Sequence, residues 1–347
     1  MGMRVGVVGL GRIGAFHTAT LAGLDEVDEL VVTDAFGPAV EAVTAAHPTA
    51  RPAADLDAVL ASGVDALVVA TATPTHAEFI ERAVAARIPV FCEKPIAMSS
   101  VQSAEVARRV ADAGIPVAIG YNRRFDPAVS AARAAVASGD LGFITTARST
   151  TLDPAPPPME YIATSGGIFR DCAVHDFDTL RWVVGDDVVH VYATGSNQGD
   201  PRFTEFGDVD SATVVLRFAS GTMGVVSASR YNGRGYDCRL EVHGSADSVA
   251  AGWDAGTPIR NVDAAVDFPP GAPHGFFMER FAEAYRRELT AFCHLATDNS
   301  PGPVPLCTVD DALAVAVIAD AATLSLTEGR PVATADVAPR PNPRITS

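Results

Sequence analysis

The sequence predicts an α/β protein in two parts: an N-terminal Rossmann-type doubly wound parallel sheet, and a C-terminal α+β region on a large, open, mainly antiparallel sheet. Three observations carry this prediction. Over the first 120 residues, short β-branched runs alternate with alanine-rich stretches of helical period, as in a parallel sheet covered on both faces. Beyond Gly120 the segments lengthen into alternating Thr- and Val-rich runs, the pattern of antiparallel strands with one dry face. The length of 347 residues suits two domains at roughly 150 residues each, and 48% apolar residues can fill both cores.

In chain order, strands are expected at 4–8, 29–33, 66–70, 90–92 and 117–120, with helices at 13–24, 38–46, 75–86 and 99–113 between them. A helix follows Pro127, where proline suits the first turn. Strands at 144–152, 188–195, 212–218, 222–231 and 238–244 come next, interrupted by one helical pattern over 167–184. Pro154 to Pro158 reads as a rigid loop. A helix at 277–295, a proline-rich break at 301–305 and an apolar helix at 309–327 that packs back on the body close the chain. The expected division is 1–120, 121–330 and a loose tail at 331–347.

Composition excludes several classes of partner. The net charge of −16 repels phosphate backbones and anionic lipid, so neither nucleic acid nor a membrane surface is expected. No apolar run approaches the roughly 18 residues of a membrane span, and the N-terminus enters a strand without a leader pattern, which reads as cytoplasmic. Five cysteines, odd in number and without a CxxC pair, argue against a disulfide framework or zinc; no metal is expected, and the thiols read as small buried side chains. Of the 26 basic residues 25 are arginine, which leaves Lys94 as the only lysine. Arginine does not release a proton in a protein and lysine does, so Lys94 marks a proton-handling position; the alternative is one surface lysine surviving by chance.

Gly9-Leu10-Gly11-Arg12-Ile13-Gly14 lies between the first strand and first helix, the setting of a dinucleotide fingerprint. Gly9 permits the tight turn, Gly11 lets the backbone approach a pyrophosphate, and Gly14 lets helix and strand pack closely. Asp34 follows 20 positions after Gly14, at the end of the second strand, where its carboxylate accepts from both hydroxyls of an adenine ribose and repels a 2′-phosphate. Ala35 and Phe36 supply no cation for that phosphate, so NAD is expected rather than NADP. Glu93-Lys94-Pro95 ends the fourth predicted strand, where open parallel sheets place their ligands. Glu93 either pairs with Lys94 or shares in orienting it, and Pro95 is an X-Pro bond at which a cis form costs little. Asp171 and His175 stand four apart, hence on one face of a helix, where a carboxylate orients an imidazole and raises its basicity. Alone this is also an ordinary surface pair; with the fingerprint and Lys94 it points to general-base chemistry.

These elements, with the Gly120-Tyr121-Asn122-Arg123-Arg124-Phe125-Asp126-Pro127 stretch, resemble the Gfo/Idh/MocA oxidoreductases over residues 3–330. Within that family the likeness leans to the inositol 2-dehydrogenases through Gly235-Tyr236-Asp237 and the length. Arg234 departs, standing where those enzymes carry an aromatic and opening the site to a bulkier or charged substrate. The resemblance implies Lys94, Asp171 and His175 as the catalytic set: His175 takes the hydroxyl proton, Lys94 bonds the same oxygen, and a hydride passes to NAD. It implies a cofactor site of Gly9, Gly11, Arg12, Ile13, Gly14, Asp34, Thr71, His76, Glu93 and Lys94, and a substrate site of Asn122, Arg123, Asp153, His175 and Tyr236. On the residues alone, Arg123 and Arg124 also read as a solvated pair and Asp153 as a turn residue before Pro154. The expected activity is NAD-dependent oxidation of a secondary alcohol of a cyclic polyol, myo-inositol first. A pyranose sugar or another inositol isomer is the nearest alternative, and an NAD-binding regulator without turnover is a different class. A homo-oligomer, tetramer or dimer, completes the expectation.

Overall fold

A computed structural model describes residues 2–298, 302 and 304–339. Pro301 and Pro303 of the expected break, and the tail beyond 339, lie outside the described residues. Six parallel strands, β1 (Met3–Val8), β2 (Val27–Thr33), β3 (Ala50–Pro52), β4 (Ala66–Val69), β5 (Val90–Glu93) and β6 (Val117–Gly120), form the first sheet in the order β3-β2-β1-β4-β5-β6. The order reverses between β1 and β4, which opens a crevice at the carboxyl ends of the strands. β4, β5 and β6 are buried along their whole length, as their unbroken apolar runs require.

The second sheet contains β7 (Ile144–Leu152), β8 (Val188–Ser196), β9 (Ser211–Phe218), β10 (Met223–Ser229), β11 (Asp237–Gly244) and β12 (Ser248–Ala251), ordered β12-β11-β7-β10-β9-β8. It is antiparallel except at β7 and β10, which run parallel. Two short strands, β13 (Cys307–Thr308) and β14 (Val332–Ala333), then close the outer edges, β13 against β6 and β14 against β8. The tail after Arg330 is therefore not loose at its start: it adds β14 and a helical turn at Thr334–Val337.

The last third of the chain holds the sheets together. Helix Ala282–Asp298 lies on helix Arg12–Leu21 and on the 3₁₀ turn Asn122–Phe125, burying Tyr285, Leu289 and Phe292 against Val5, Leu30 and Phe91. Helix Val309–Glu328 begins with a Thr308/Asp311 capping box and packs on β8, on helix Ser100–Ala113 and on helix Val174–Val184. Its Val315 and Ile318 belong to one continuous core with Val90, Ile119, Phe177, Leu180 and Val214, so one apolar interior runs under both sheets. Cys92, Cys172, Cys293 and Cys307 are buried thiols and Cys238 is partly buried.

The helical pattern over 167–184 is not one helix. Ile168–Asp171 forms a single turn and Val174–Val184 a second helix. Between them the Ala173 amide reaches back five residues to the Ile168 carbonyl (2.9 Å), while the His175 amide bonds the Cys172 carbonyl (3.3 Å). This widened turn takes Asp171 and His175 off a common stripe and leaves the Asp171 carbonyl without its helical donor.

Candidate active site

The glycine-rich turn after β1 has the shape of a phosphate cradle. Gly9 has φ +89°, and a Cβ there would sit 2.6 Å from the Ala70 backbone. A Cβ on Gly14 would lie 1.9 Å from the Gly9 carbonyl oxygen, whereas one on Gly11 would meet nothing within 4 Å. The turn is thus tight at Gly9, packed at Gly14 and open at Gly11, as the amide donors of a helix N-terminus need if they are to reach a pyrophosphate. Asp34 closes the far side: its Oδ2 accepts from the Leu10 amide (2.5 Å) and its Oδ1 from the Phe36 amide (2.7 Å). Each oxygen keeps a lone pair for a ribose hydroxyl. Arg12 is exposed and stacks on the Phe276 ring, 4.9 Å from its centre, and Ile13 is partly buried beside it.

Four residues expected at the cofactor or substrate have their side chains bonded within the protein. Glu93 does not pair with Lys94; its Oε1 lies 2.6 Å from Nε2 of the buried His17. His76 is buried between two backbone carbonyls, Pro95 (2.8 Å from Nδ1) and Thr71 (3.0 Å from Nε2), and burial lowers its pKa. The neutral ring donates to one carbonyl and ties the loops after β4 and β5 together, while the Thr71 hydroxyl bonds Thr75. Arg123 and Arg124 are not a solvated pair but are both buried. Arg123 donates to Asp176 Oδ1 (2.9 Å), which also accepts from Ser149 (2.5 Å) and Thr151 (2.7 Å).

Lys94 crosses between the sheets. Its bond to Pro95 is cis. Its Nζ donates to the carbonyl freed at Asp171 (2.7 Å) and lies 3.4 Å from Asp171 Oδ1. The expected Asp171–His175 pairing is absent, because the carboxylate accepts instead from Tyr161 OH (2.7 Å) and Arg230 Nη2 (2.8 Å). Burial favours the neutral acid at Asp171, but Lys94 and Arg230 overcome it and hold the carboxyl at about 2. His175 carries no carboxylate partner, and its Nδ1 is buried without one among the described residues. Burial, then the charges of Lys94 and Arg123, push its pKa well below 6.5. The positive charge of Lys94 thus helps keep the His175 imidazole neutral at pH 7.

The sheet register supplies the remaining walls. β10 runs parallel to β7 with Ser229 opposite Leu152, and β11 runs antiparallel with Asp237 opposite Leu152. The next residue along each strand is then Asp153, Arg230 or Tyr236, which places all three at one end of the sheet. Arg230 Nη1 donates to Asp153 Oδ2 (3.3 Å). Tyr236 is buried against Phe277 and Phe281, its oxygen 3.5 Å from Arg123 Nη2. Asn122 is buried nearby, its Nδ2 without a partner among the described residues. Arg234 is exposed.

Sequence reasoning misses Arg230 and Tyr161. Arg230 left a signal: Gly224, Val226 and Ala228 are the buried positions of β10, so an arginine two residues on extends the dry stripe and needs carboxylates inside. Tyr161, on a short helix after the proline loop, left none.

A reversing parallel sheet with an open glycine cradle and an acid at the end of its second strand, together with a partly buried lysine and a neutral histidine, defines the class: an NAD-binding oxidoreductase. The family model of oxidoreductases with an NAD-binding Rossmann fold matches residues 3–121, and that of the GFO/IDH/MocA C-terminal domain matches residues 129–250. The chain belongs to the Gfo/Idh/MocA family. It is 38% identical to inositol 2-dehydrogenase of Rhizobium meliloti over 96% of this chain and 100% of that protein. It superposes on myo-inositol dehydrogenase of Corynebacterium glutamicum with a TM-score of 0.87 and 34% identity, covering 96% of this chain and 99% of that one. A scyllo-inositol dehydrogenase of Lactobacillus casei, solved with NAD(H) and scyllo-inositol bound, superposes at 0.85 with 25% identity over 96% and 100% of the two chains.

Proposed function

We propose that this enzyme oxidises a secondary alcohol of a cyclic polyol, with myo-inositol as first substrate, using NAD. One observation carries the reading: Lys94, from the sheet with the glycine cradle, reaches Asp171 four residues before the neutral His175 of the other sheet's helix. Gly9, Gly11, Gly14 and Asp34 hold NAD, and bound there it takes up the hydride from the carbinol carbon. His175 accepts the hydroxyl proton, as a ring that is neutral at rest permits. Lys94 has three N–H donors and two face Asp171, which leaves one for the reacting oxygen. The ketone forms with one proton on His175 and one hydride on the cofactor, so the step balances.

Asp153 and Tyr236, at the shared end of β7, β10 and β11, are the polyol-contacting candidates, with Asn122 beneath them. The likeness to inositol dehydrogenases favours this substrate class over a pyranose. Residues 1–120 serve the cofactor and 121–330 the substrate and assembly. The free cysteines suit the reducing cytoplasm. Exposed Tyr192 and Val215 stand opposite each other on one face of the second sheet, flanked by His190, Arg217, Thr194 and Thr213, and this mixed face suits a homo-oligomer, tetramer or dimer, which light scattering of the purified protein would measure.

The test is absorbance of reduced nicotinamide when NAD, protein and a polyol panel are mixed. Turnover with myo-inositol above other inositols and pyranoses supports the assignment. A sugar preferred over every inositol replaces the substrate, and silence across the panel replaces the enzyme with an NAD-binding regulator.

A further inference from the structure

Arg230 is the most completely enclosed cation of the cleft, with only 2% of its side chain exposed. It leaves the end of β10 and meets two carboxylates from different elements: Asp171 Oδ2 at 2.8 Å, at the end of the short turn Ile168–Asp171, and Asp153 Oδ2 at 3.3 Å, just past β7. Its Nε has no partner among the described residues, so the guanidinium is committed through its two terminal nitrogens. A buried arginine with one strong and one weak carboxylate contact is a costly way to stabilise a fold, since apolar side chains of similar volume commonly do as well. Its placement against Asp171 has a more specific consequence.

We propose that Arg230 is a positioning residue: it fixes Asp171 as a carboxylate in one orientation, and through Asp171 it fixes the ammonium of Lys94 toward the reacting oxygen. This rests on the dehydrogenase reading above and adds a residue to it. Lys94 touches Asp171 twice, through the carbonyl and through Oδ1. The carbonyl bond holds the ammonium whatever the charge on the side chain. The Oδ1 contact is favourable only while that oxygen carries negative charge and a free lone pair.

The other groups facing Asp171 do not replace Arg230. Tyr161, from the helix after the proline loop, donates one neutral hydrogen bond, and burial together with the Asp171 charge keeps it a phenol. Asp153, Asp208 and the buried Cys172 thiol also lie in its field, and negative charge on any of them opposes ionisation of Asp171. Among the described residues Lys94 and Arg230 are the cations in contact with a carboxyl that burial would otherwise neutralise, and Lys94 is the group to be positioned. Asp153, with Arg230 as its one ion-pair partner among the described residues and a pKa raised by burial, is the weaker arm of the bridge.

The single lysine makes the test direct. Reductive methylation with ¹³C-formaldehyde labels Lys94 and the terminal amine alone, giving two resonances to follow with pH. In the unsubstituted protein the Lys94 methyl signal should show no inflection between about pH 4 and 7 from Asp171, whose carboxyl stays ionised to about 2. In Arg230→Gln, folded by circular dichroism and still binding NAD by calorimetry, an inflection should enter that window. With it, kcat should fall at least tenfold while the dissociation constant of NAD changes less than twofold, and the acid limb of the kcat profile should move upward. An unaltered Lys94 titration together with an unaltered acid limb overturns the proposal. Should Arg230→Gln fail to fold, Arg230→Lys decides by kinetics: one ammonium cannot span both carboxylates, so a displaced acid limb supports the role and the parent profile refutes it. If the unsubstituted protein turns over no polyol, the dehydrogenase reading fails, yet the resonance titration still judges Arg230.

Discussion

Lys94 differs from every other cation of the chain in having a compact head that bonds two atoms of one residue and still holds a third proton. Lys94→Arg keeps the charge but replaces that head with a planar fork too wide for the Asp171 carbonyl and Oδ1 together; steady-state assay should show turnover reduced at least tenfold, and an unchanged rate removes Lys94 from the chemistry. His175 leads to a pH prediction of definite sign. Its pKa is depressed by burial and by the neighbouring positive charges, so the ring is the competent base at pH 7 and loses competence only when pH falls well below 6.5. The acid limb of kcat/KM is therefore expected below 6.5; a limb above that value would mean that a carboxylate supports the ring, contrary to the geometry. At the opposite end of the proposed cofactor site, Asp34→Ala would take away the acceptors assigned to the adenine ribose and the repulsion of a 2′-phosphate together. Calorimetry should then find weaker NAD binding and a smaller preference over NADP.

At the scale of elements, what the sequence reveals depends on how local the cause is. β1, β4, β5 and β6 are legible because each is a short, predominantly apolar run, and the cradle is legible because glycine at three fixed spacings has one steric meaning. β3, β13 and β14 are too short for any period to register, and they exist only because a neighbouring strand edge is there to pair with. The break at Cys172–Ala173 is invisible in a sequence whose apolar period continues through it, yet it separates Asp171 from His175 and frees the carbonyl that Lys94 uses. Asp153, Arg230 and Tyr236 meet through strand register, which is a long-range property. Helix Ala282–Asp298 carries a further hidden feature: Glu288 is fully buried with no hydrogen-bond partner for either oxygen among the described residues, and burial, reinforced by the charge of Glu93, raises its pKa well above 4.5. The folded protein thus keeps this proton while the unfolded chain releases it above 4.5, so stability falls as pH rises from there. Glu288→Gln removes that dependence. Its gain in Tm should be small near pH 4.5 and larger near pH 8, and calorimetric scans giving equal gains at both would show that Glu288 is ionised in the fold.

The whole molecule must keep Lys94, fixed to the first sheet, in register with His175, fixed to the second, and one ion cluster ties the turn after β6 to the helix that bears His175. Arg124, in the turn after β6, donates through Nε (2.9 Å) and Nη2 (2.5 Å) to Asp178 on helix Val174–Val184, and through Nη1 (3.1 Å) to Asp311 in the first turn of helix Val309–Glu328. Asp178 stands one turn beyond His175 on the same helix, so the tie that anchors the helix lies close to the base. Asp178→Ala leaves the guanidinium buried with only the Asp311 contact, a loss of about 3 kcal/mol by analogy with other broken buried pairs, measurable by urea unfolding. Replacing both partners, Arg124→Met with Asp178→Leu, removes the uncompensated charge and should recover most of that stability. If the ion cluster sets geometry as well as stability, kcat will remain depressed in the recovered double variant while NAD binds normally. A double variant that regains stability and full turnover together would show that apolar packing alone aligns the two halves, and a single variant losing less than about 1 kcal/mol would show that Arg124 was never held by Asp178.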